Sequence, residues 1–394
     1  MMRALTWMPA VCAAAFPLHP RATTPVLALW ILLLLWVEIA DQTKRRLVPV
    51  LPAIWWAGLA YYMLIAIGLL WSENMEAGLF ALEVKLSLLV LPILFFRTER
   101  HVKWKSHQLI DALCVGLLLS GAIGLVQAGW FSLFEGNHRG WSYAELAGPL
   151  HPTYLAWYWA FAWFAWLTKK RNPMAWWGGS LLAGLMIGLL ASKAGWIAGG
   201  LVVVWNLLKR DRRAVTGIGA FGLLLGAALF GQGRLDEMVE GFSKPERNTK
   251  VTSTRGAPEQ IGGSTVGRLQ AWEAASAVMA RHPFGVGTGD VESQLARKYE
   301  DIGAKYAAKH GMNAHNAYLQ AGVAFGWVGL LLLVIWWGVV AWTALRRHQE
   351  LAMAFSALAL WFACTESVLE LQSGVVWIAF GCWAWGVREM RSKD

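Results

Sequence analysis

The chain has 394 residues, of which 57% are hydrophobic and 15% charged, and carries a formal net charge of +10. Soluble domains run near a quarter charged, so this composition excludes an ordinary soluble enzyme and predicts an all-α polytopic membrane protein. The positive charge does not describe a nucleic-acid binder, because Lys and Arg sit in short clusters between apolar stretches and form no continuous basic face.

Apolar runs near the ~20 residues that cross a bilayer fall at 4–18, 24–40, 47–71, 78–96, 109–131, 150–168, 174–191, 194–208, 214–231, 316–345, 350–366 and 374–388. They predict about twelve transmembrane helices. The first run is short, contains Pro9 and follows Arg3, so it reads as a retained helix or as a signal peptide. The 26 Trp residues suit a chain that crosses many membrane–water interfaces. Cys12, Cys114, Cys364 and Cys382 all lie in apolar stretches without metal-ligand spacing and read as small buried hydrophobes.

Clusters such as Lys44-Arg45-Arg46, Lys169-Lys170-Arg171 and Lys209-Arg210 occupy alternate connections, whereas the opposite short connections hold only Arg21, Arg139 and Lys193. The bias places both termini in the cytoplasm. Three regions follow: transmembrane helices 1–9 over residues 1–231, a large, mostly helical outer loop over 232–315, and helices 10–12 with a short tail over 316–394. The loop opens with a polar stretch at 241–265. A helix is predicted from about Arg268 to Arg281, ended by His282-Pro283. The glycine turn Gly285-Val-Gly-Thr-Gly289 then leads to Asp290, a natural N-cap for a second helix through about Lys309.

Polar groups at the outer ends of spans are the candidates for chemistry. Ser192 is a natural N-cap for the span that starts at Lys193, and a cation at a helix N-terminus makes either an anion site or a lysine snorkelling to the interface. Arg268 offers a planar fork for phosphate oxygens, or is a solvated loop residue. His315, followed by Asn316 at the start of the tenth span, is a candidate general base, or an interfacial histidine bonded to a neighbouring helix. The glycine turn could cradle phosphate with its backbone N–H groups, although it lacks the Lys-Ser/Thr ending of a P-loop. Glu83 and Lys85 within the fourth span, and Glu366 and Glu370 near the end of the eleventh, are ionisable groups at membrane depth and functional suspects on that ground. No Asp-x-Asp pair stands in the outer segments to hold a divalent ion, and no metal ligands or cofactor are expected.

Four stretches resemble the O-antigen ligase and polymerase superfamily: Arg268-Leu-Gln-Ala-Trp272, Arg281-His-Pro-Phe-Gly-Val-Gly-Thr-Gly289, Ala314-His-Asn-Ala-Tyr-Leu-Gln320 and Gly326-Trp-Val-Gly329. Ser192-Lys193 is similar to that family's Ser-Arg pair, with Lys in place of Arg. The resemblance implies a GT-C-like, membrane-embedded glycosyltransferase in the inner membrane of a Gram-negative bacterium, with its site facing the periplasm. The donor would be O-antigen on undecaprenyl diphosphate and the acceptor the lipid A–core oligosaccharide, with inversion and without a metal. His315 would then be the catalytic base, and Lys193, Arg268 and Arg139 would bind the diphosphate. Ser192, Asn316, His151, Lys85 and Glu83 would support the substrate site. Within the superfamily a Wzy-type polymerase is the nearest alternative. From another class, a lipid-linked glycan flippase would instead place its polar cavity at the membrane midplane.

Overall fold

The computed structural model describes residues 2–40, 52–136, 138–168, 172–208, 213–230, 265–346 and 348–387. Every regular element among them is helical. The first part contains α1 (Met2–Ala15), α2 (Thr23–Ala40), α3 (Ala53–Ile67, extended by a 3-10 turn over Gly68–Trp71), α4 (Met75–Lys85), α5 (Ser87–Thr98) and α6 (Ser106–Phe134). It continues with α7 (Tyr143–Ala147), α8 (Pro152–Thr168), α9 (Pro173–Leu189), α10 (Lys193–Leu207) and α11 (Arg213–Phe230). The second part contains α12 (Thr265–Arg281), α13 (Val291–Asp301), α14 (Lys305–Lys309), α15 (Ala317–Arg346), α16 (Glu350–Thr365) and α17 (Gln372–Gly381), which runs on as π-type turns over Cys382–Val387.

Among the described residues, each apolar run overlaps a helix. By length and composition, five stretches are long and apolar enough to cross a membrane: Thr23–Ala40, Ala53–Trp71, Met75–Thr98, Ser106–Phe134 and Ala317–Arg346. Shorter apolar helices include Pro173–Leu189 and Glu350–Thr365. The chain is a multi-pass helical membrane protein. The polar stretch 241–264 and several basic clusters used for orientation, among them 44–46, 169–171 and 209–212, lie outside the described residues.

The bundle is organised around α8, whose residues are buried on nearly every face from Pro152 to Leu167. A helix apolar all round belongs at the centre of a bundle, and its aromatic side chains meet partners on three sides. Trp157 stacks on Phe362 of α16 at 4.9 Å between centroids. Phe161 meets Trp385 at 4.5 Å, and Tyr158 Oη donates to the Ser373 carbonyl at 3.0 Å. Helices α9 and α11 approach differently. A Cβ on Gly184, Gly188, Gly222 or Gly226 would run into the backbone of the opposite helix. Small residues let the two backbones touch, which is how helices associate where lipid removes the hydrophobic drive between them.

Three predicted elements are interrupted. The fourth span breaks between Lys85 and Ser87. The helix expected from Asp290 to about Lys309 ends at Asp301, where Gly303 at φ +76° turns the chain into α14. The tenth span kinks at Gly326, whose φ of 62° and ψ of −148° suit glycine alone. That kink frees the Trp327 N–H to bond the Pro283 carbonyl at 3.0 Å.

The segment from 265 to 314 is docked firmly on the helix ends beside it. Val286 and Gly287 donate to the carbonyls of Val323 and Ala324, both at 3.0 Å. Thr288 Oγ1 donates to the Ile65 carbonyl at 2.6 Å, and the Gly289 N–H reaches Ser72 Oγ at 3.0 Å. Asp290 stands before α13, but its carboxylate makes no cap there. It accepts instead from the backbone N–H groups of Glu73 at 2.7 Å and Asn74 at 2.9 Å, locking the loop to the start of α4.

Candidate active site

Residues at the N-terminal ends of α8, α10, α12 and α15 come together at one end of the bundle. Ser192 caps α10 by accepting from the Gly195 N–H at 3.2 Å, and its hydroxyl lies 3.2 Å from Thr153 Oγ1 in the first turn of α8. Lys193 Nζ donates to Thr265 Oγ1, the first residue of α12, at 2.9 Å. Asn316 caps α15 through Oδ1, which accepts from Tyr318 N at 2.9 Å and Leu319 N at 3.0 Å. The partial positive charge of each helix end adds to the two cations, so this corner favours an anion.

At its centre stands Glu366, just beyond the C-terminal end of α16 and buried to 6% exposure. Arg268 Nη2 donates to Glu366 Oε1 at 2.6 Å, while Arg268 Nε reaches the Thr365 carbonyl at 3.3 Å. His315 Nδ1 lies 3.1 Å from Glu366 Oε2. Thr153 Oγ1 lies 3.5 Å from Glu366 Oε1. Burial alone would raise the carboxyl pKa, but the hydrogen bond from His315 and the charges of Arg268, His151 and His315 outweigh it, bringing it down to about 2. Glu366 is therefore ionised at any physiological pH.

An ionised Glu366 fixes His315. A carboxylate only accepts, so His315 Nδ1 carries the proton toward it and Nε2 is left as the basic nitrogen. The backbone is held as tightly as the ring. His315 sits at φ 45°, an uncommon conformation for a residue with a Cβ. It persists because His315 N donates to Asn313 Oδ1 at 2.9 Å, the His315 carbonyl accepts from Trp272 Nε1 at 3.4 Å, and Asn316 N donates to Ser367 Oγ at 3.2 Å. Ala191, one residue before the Ser192 cap, has φ 46° as well. Strained backbone of this kind persists where surrounding contacts over-determine it, as at active sites.

Residues 178–334 match the family model described as O-antigen ligase. Over these residues, fewer than half of the chain, the protein is similar to that family. The match supports the superfamily of O-antigen ligases and polymerases, and with it a glycosyltransferase-like membrane enzyme of lipopolysaccharide biosynthesis. No curated protein matches the chain. The matched residues include Ser192, Lys193, Arg268, His315 and Asn316, whereas Thr153 and Glu366 reach the same cluster from outside them.

The other candidates from the sequence divide. His151 stands at the edge of the cluster: it is exposed, its Nδ1 accepts from Thr153 N at 3.3 Å, and it acts on Glu366 through its charge. Arg139 falls in a 3-10 turn (His138–Trp141), and its side chain lies outside the described residues. Glu83 is exposed and does not join the network, while Lys85 pairs with Glu370 and not with Glu83. Cys364 is exposed, contrary to its reading as a buried hydrophobe. The glycine turn 285–289 is no phosphate cradle, because its N–H groups from Gly285 to Gly289 are all given to acceptors of the protein itself. Sequence reasoning missed Thr153, Thr265 and Ser367, and placed Glu366 among membrane-depth suspects without its partners.

Proposed function

We propose that this chain is an O-antigen ligase that moves a glycan from undecaprenyl diphosphate to a hydroxyl of the lipid A–core oligosaccharide at the periplasmic face of the inner membrane. The observation that carries the reading is the His315–Glu366–Arg268 arrangement, in which one ionised carboxylate holds both an imidazole and a guanidinium. The acceptor hydroxyl attacks the anomeric carbon as the bond to the diphosphate oxygen breaks. His315 Nε2 takes the hydroxyl proton, and the diphosphate departs with the bonding electron pair. Attack from the side opposite the leaving group inverts the anomeric centre. Lys193 and Arg268, with the converging helix N-termini, stabilise the charge that develops on the diphosphate. Arg139, Ser192, Asn316 and His151 complete the surroundings of the donor. The region over 232–315 serves as the outer loop between the ninth and tenth spans, with both termini cytoplasmic.

The test is transfer by purified protein, in EDTA, from undecaprenyl-diphosphate-linked glycan to lipid A–core. Labelled core lipid supports a ligase, and His315→Ala should abolish it while leaving the protein folded. Glycan that lengthens on its carrier instead would replace the acceptor with a second carrier-linked glycan. Near-normal transfer by His315→Ala would refute the base.

A further inference from the structure

A second ion pair joins a buried lysine to a half-buried glutamate. Lys85 Nζ is 2.9 Å from Glu370 Oε2, with the lysine side chain only 5% exposed and the glutamate 27%. Neither residue belongs to the matched domain, and the site described above uses neither. Glu370 stands four residues after Glu366 in the connection between α16 and α17, and this connection is compact. Val368 N donates to the Glu366 carbonyl and Glu370 N to the Ser367 carbonyl, both at 2.9 Å. Val368 and Leu369 are fully or almost fully buried. This short, hydrogen-bonded and buried turn ties the position of Glu370 to that of Glu366.

Lys85 is the last residue of α4, at the break in that span. A cation at a helix C-terminus meets the favourable end of the dipole. The pair still has to lose most of its hydration, and a buried ion pair often stabilises no more than apolar side chains of the same volume would. Its geometry points to position, not stability, as what it contributes.

We propose that Lys85 and Glu370 are positioning residues for the transfer reaction. They fix the far end of the turn so that Glu366 meets His315 Nδ1 and Arg268 in register. The proposal rests on the reading of His315 as the base oriented by Glu366.

The test is a mutant cycle on the purified full chain in lipid nanodiscs, measuring transfer from undecaprenyl-diphosphate-linked glycan to lipid A–core. Lys85→Met and Glu370→Gln should each lower kcat by about 10-fold or more, the scale of a sub-ångström misplacement of a reacting group, and leave the donor KM within about two-fold. Lys85→Arg and the reversed pair Lys85→Glu/Glu370→Lys should recover most of the rate. On a Glu366→Gln background, Lys85→Met should cost no more than about two-fold, because two residues acting through one path are not additive. Wild-type kcat in both single variants overturns the proposal, as does a full, additive loss on the Glu366→Gln background, the mark of a general packing role. If Lys85→Met does not accumulate, Glu370→Gln carries the same cycle to the same two outcomes. His315→Ala in parallel separates the two ideas. An inactive His315→Ala beside a fully active Lys85→Met sinks only the positioning role, whereas an active His315→Ala sinks the base and the positioning role together.

Discussion

Glu366→Gln removes one charge and almost no volume from the most connected point of the site. The pKa of about 2, against an ordinary 4.5, means the site prefers the ionised carboxylate to its neutral form by about 3 kcal/mol. An amide is neutral at every pH, so the variant should lose stability of that order. Arg268, with its side chain 17% exposed, would keep its charge without its buried partner. The effect on chemistry should be larger than on binding. Glutamine can present either its oxygen or its NH2 to His315 Nδ1, and the second choice places the proton on Nε2, where a base needs a lone pair. The loss in kcat should be about 10²-fold or more, the range found when an orienting carboxylate is removed from a catalytic histidine. Initial rates of transfer at saturating donor, with thermal unfolding followed on the same preparations, measure both quantities. A Glu366→Gln enzyme with kcat within about three-fold of wild type would refute the orienting role, provided that His315→Ala is inactive.

The same carboxyl gives a pH signature. Its folded pKa lies below its unfolded one, so its stabilisation is complete above about pH 4.5 and is lost as pH falls toward about 2. Below about pH 4.5 the difference in melting temperature between wild type and Glu366→Gln should shrink as pH falls toward about 2; a difference that grows over that interval would contradict the assignment. Lys193→Ala removes the charge-assisted contact proposed for the donor diphosphate and should raise the donor KM by about 10-fold or more, read from transfer rates against donor concentration. Gly326→Ala puts a Cβ against the Pro283 carbonyl in a conformation that costs about 1–3 kcal/mol even without the clash, and should reduce the amount of folded protein recovered from membranes. Asp290→Ala leaves the N–H groups of Glu73 and Asn74 without their acceptor and should cost about 2–4 kcal/mol, visible as a lower melting temperature and faster proteolysis of the segment after residue 264.

Hydropathy alone located the apolar helices, because a segment that must satisfy its backbone inside lipid has few other choices. Lys193, Arg268 and His315 were legible too, each being a polar group at a helix start where an apolar face would serve packing better. Glu366 was harder. It is 98 residues from Arg268 and 51 from His315 in sequence, and it follows an apolar run, so nothing local says whether it faces a partner or a cavity. Lys85 was open to the same error, with Glu83 its near neighbour in sequence and Glu370 its partner in space. The glycine turn misled for a different reason. Glycines that admit a phosphate and glycines that admit another backbone look alike until the acceptors are known, and here the acceptors are the carbonyls of Gly68, His282, Val323 and Ala324 and the Ser72 hydroxyl. Asp290 likewise has the position of a cap and the bonds of a clamp.

The burial of α8 has a consequence for how the protein is made. This helix is complete before residue 169 leaves the ribosome, yet the aromatic partners of Trp157 and Phe161 are Phe362, Trp377 and Trp385, about two hundred residues further on. Chains are synthesised and inserted from the N-terminus. Until the last helices arrive, the flank of α8 that will receive them is covered by lipid or by temporary neighbours. Thr153 waits with it, because Glu366 is delivered by that same final addition. A chain that stops short of α16 is therefore unfinished at its centre and lacks the carboxylate that holds His315 and Arg268.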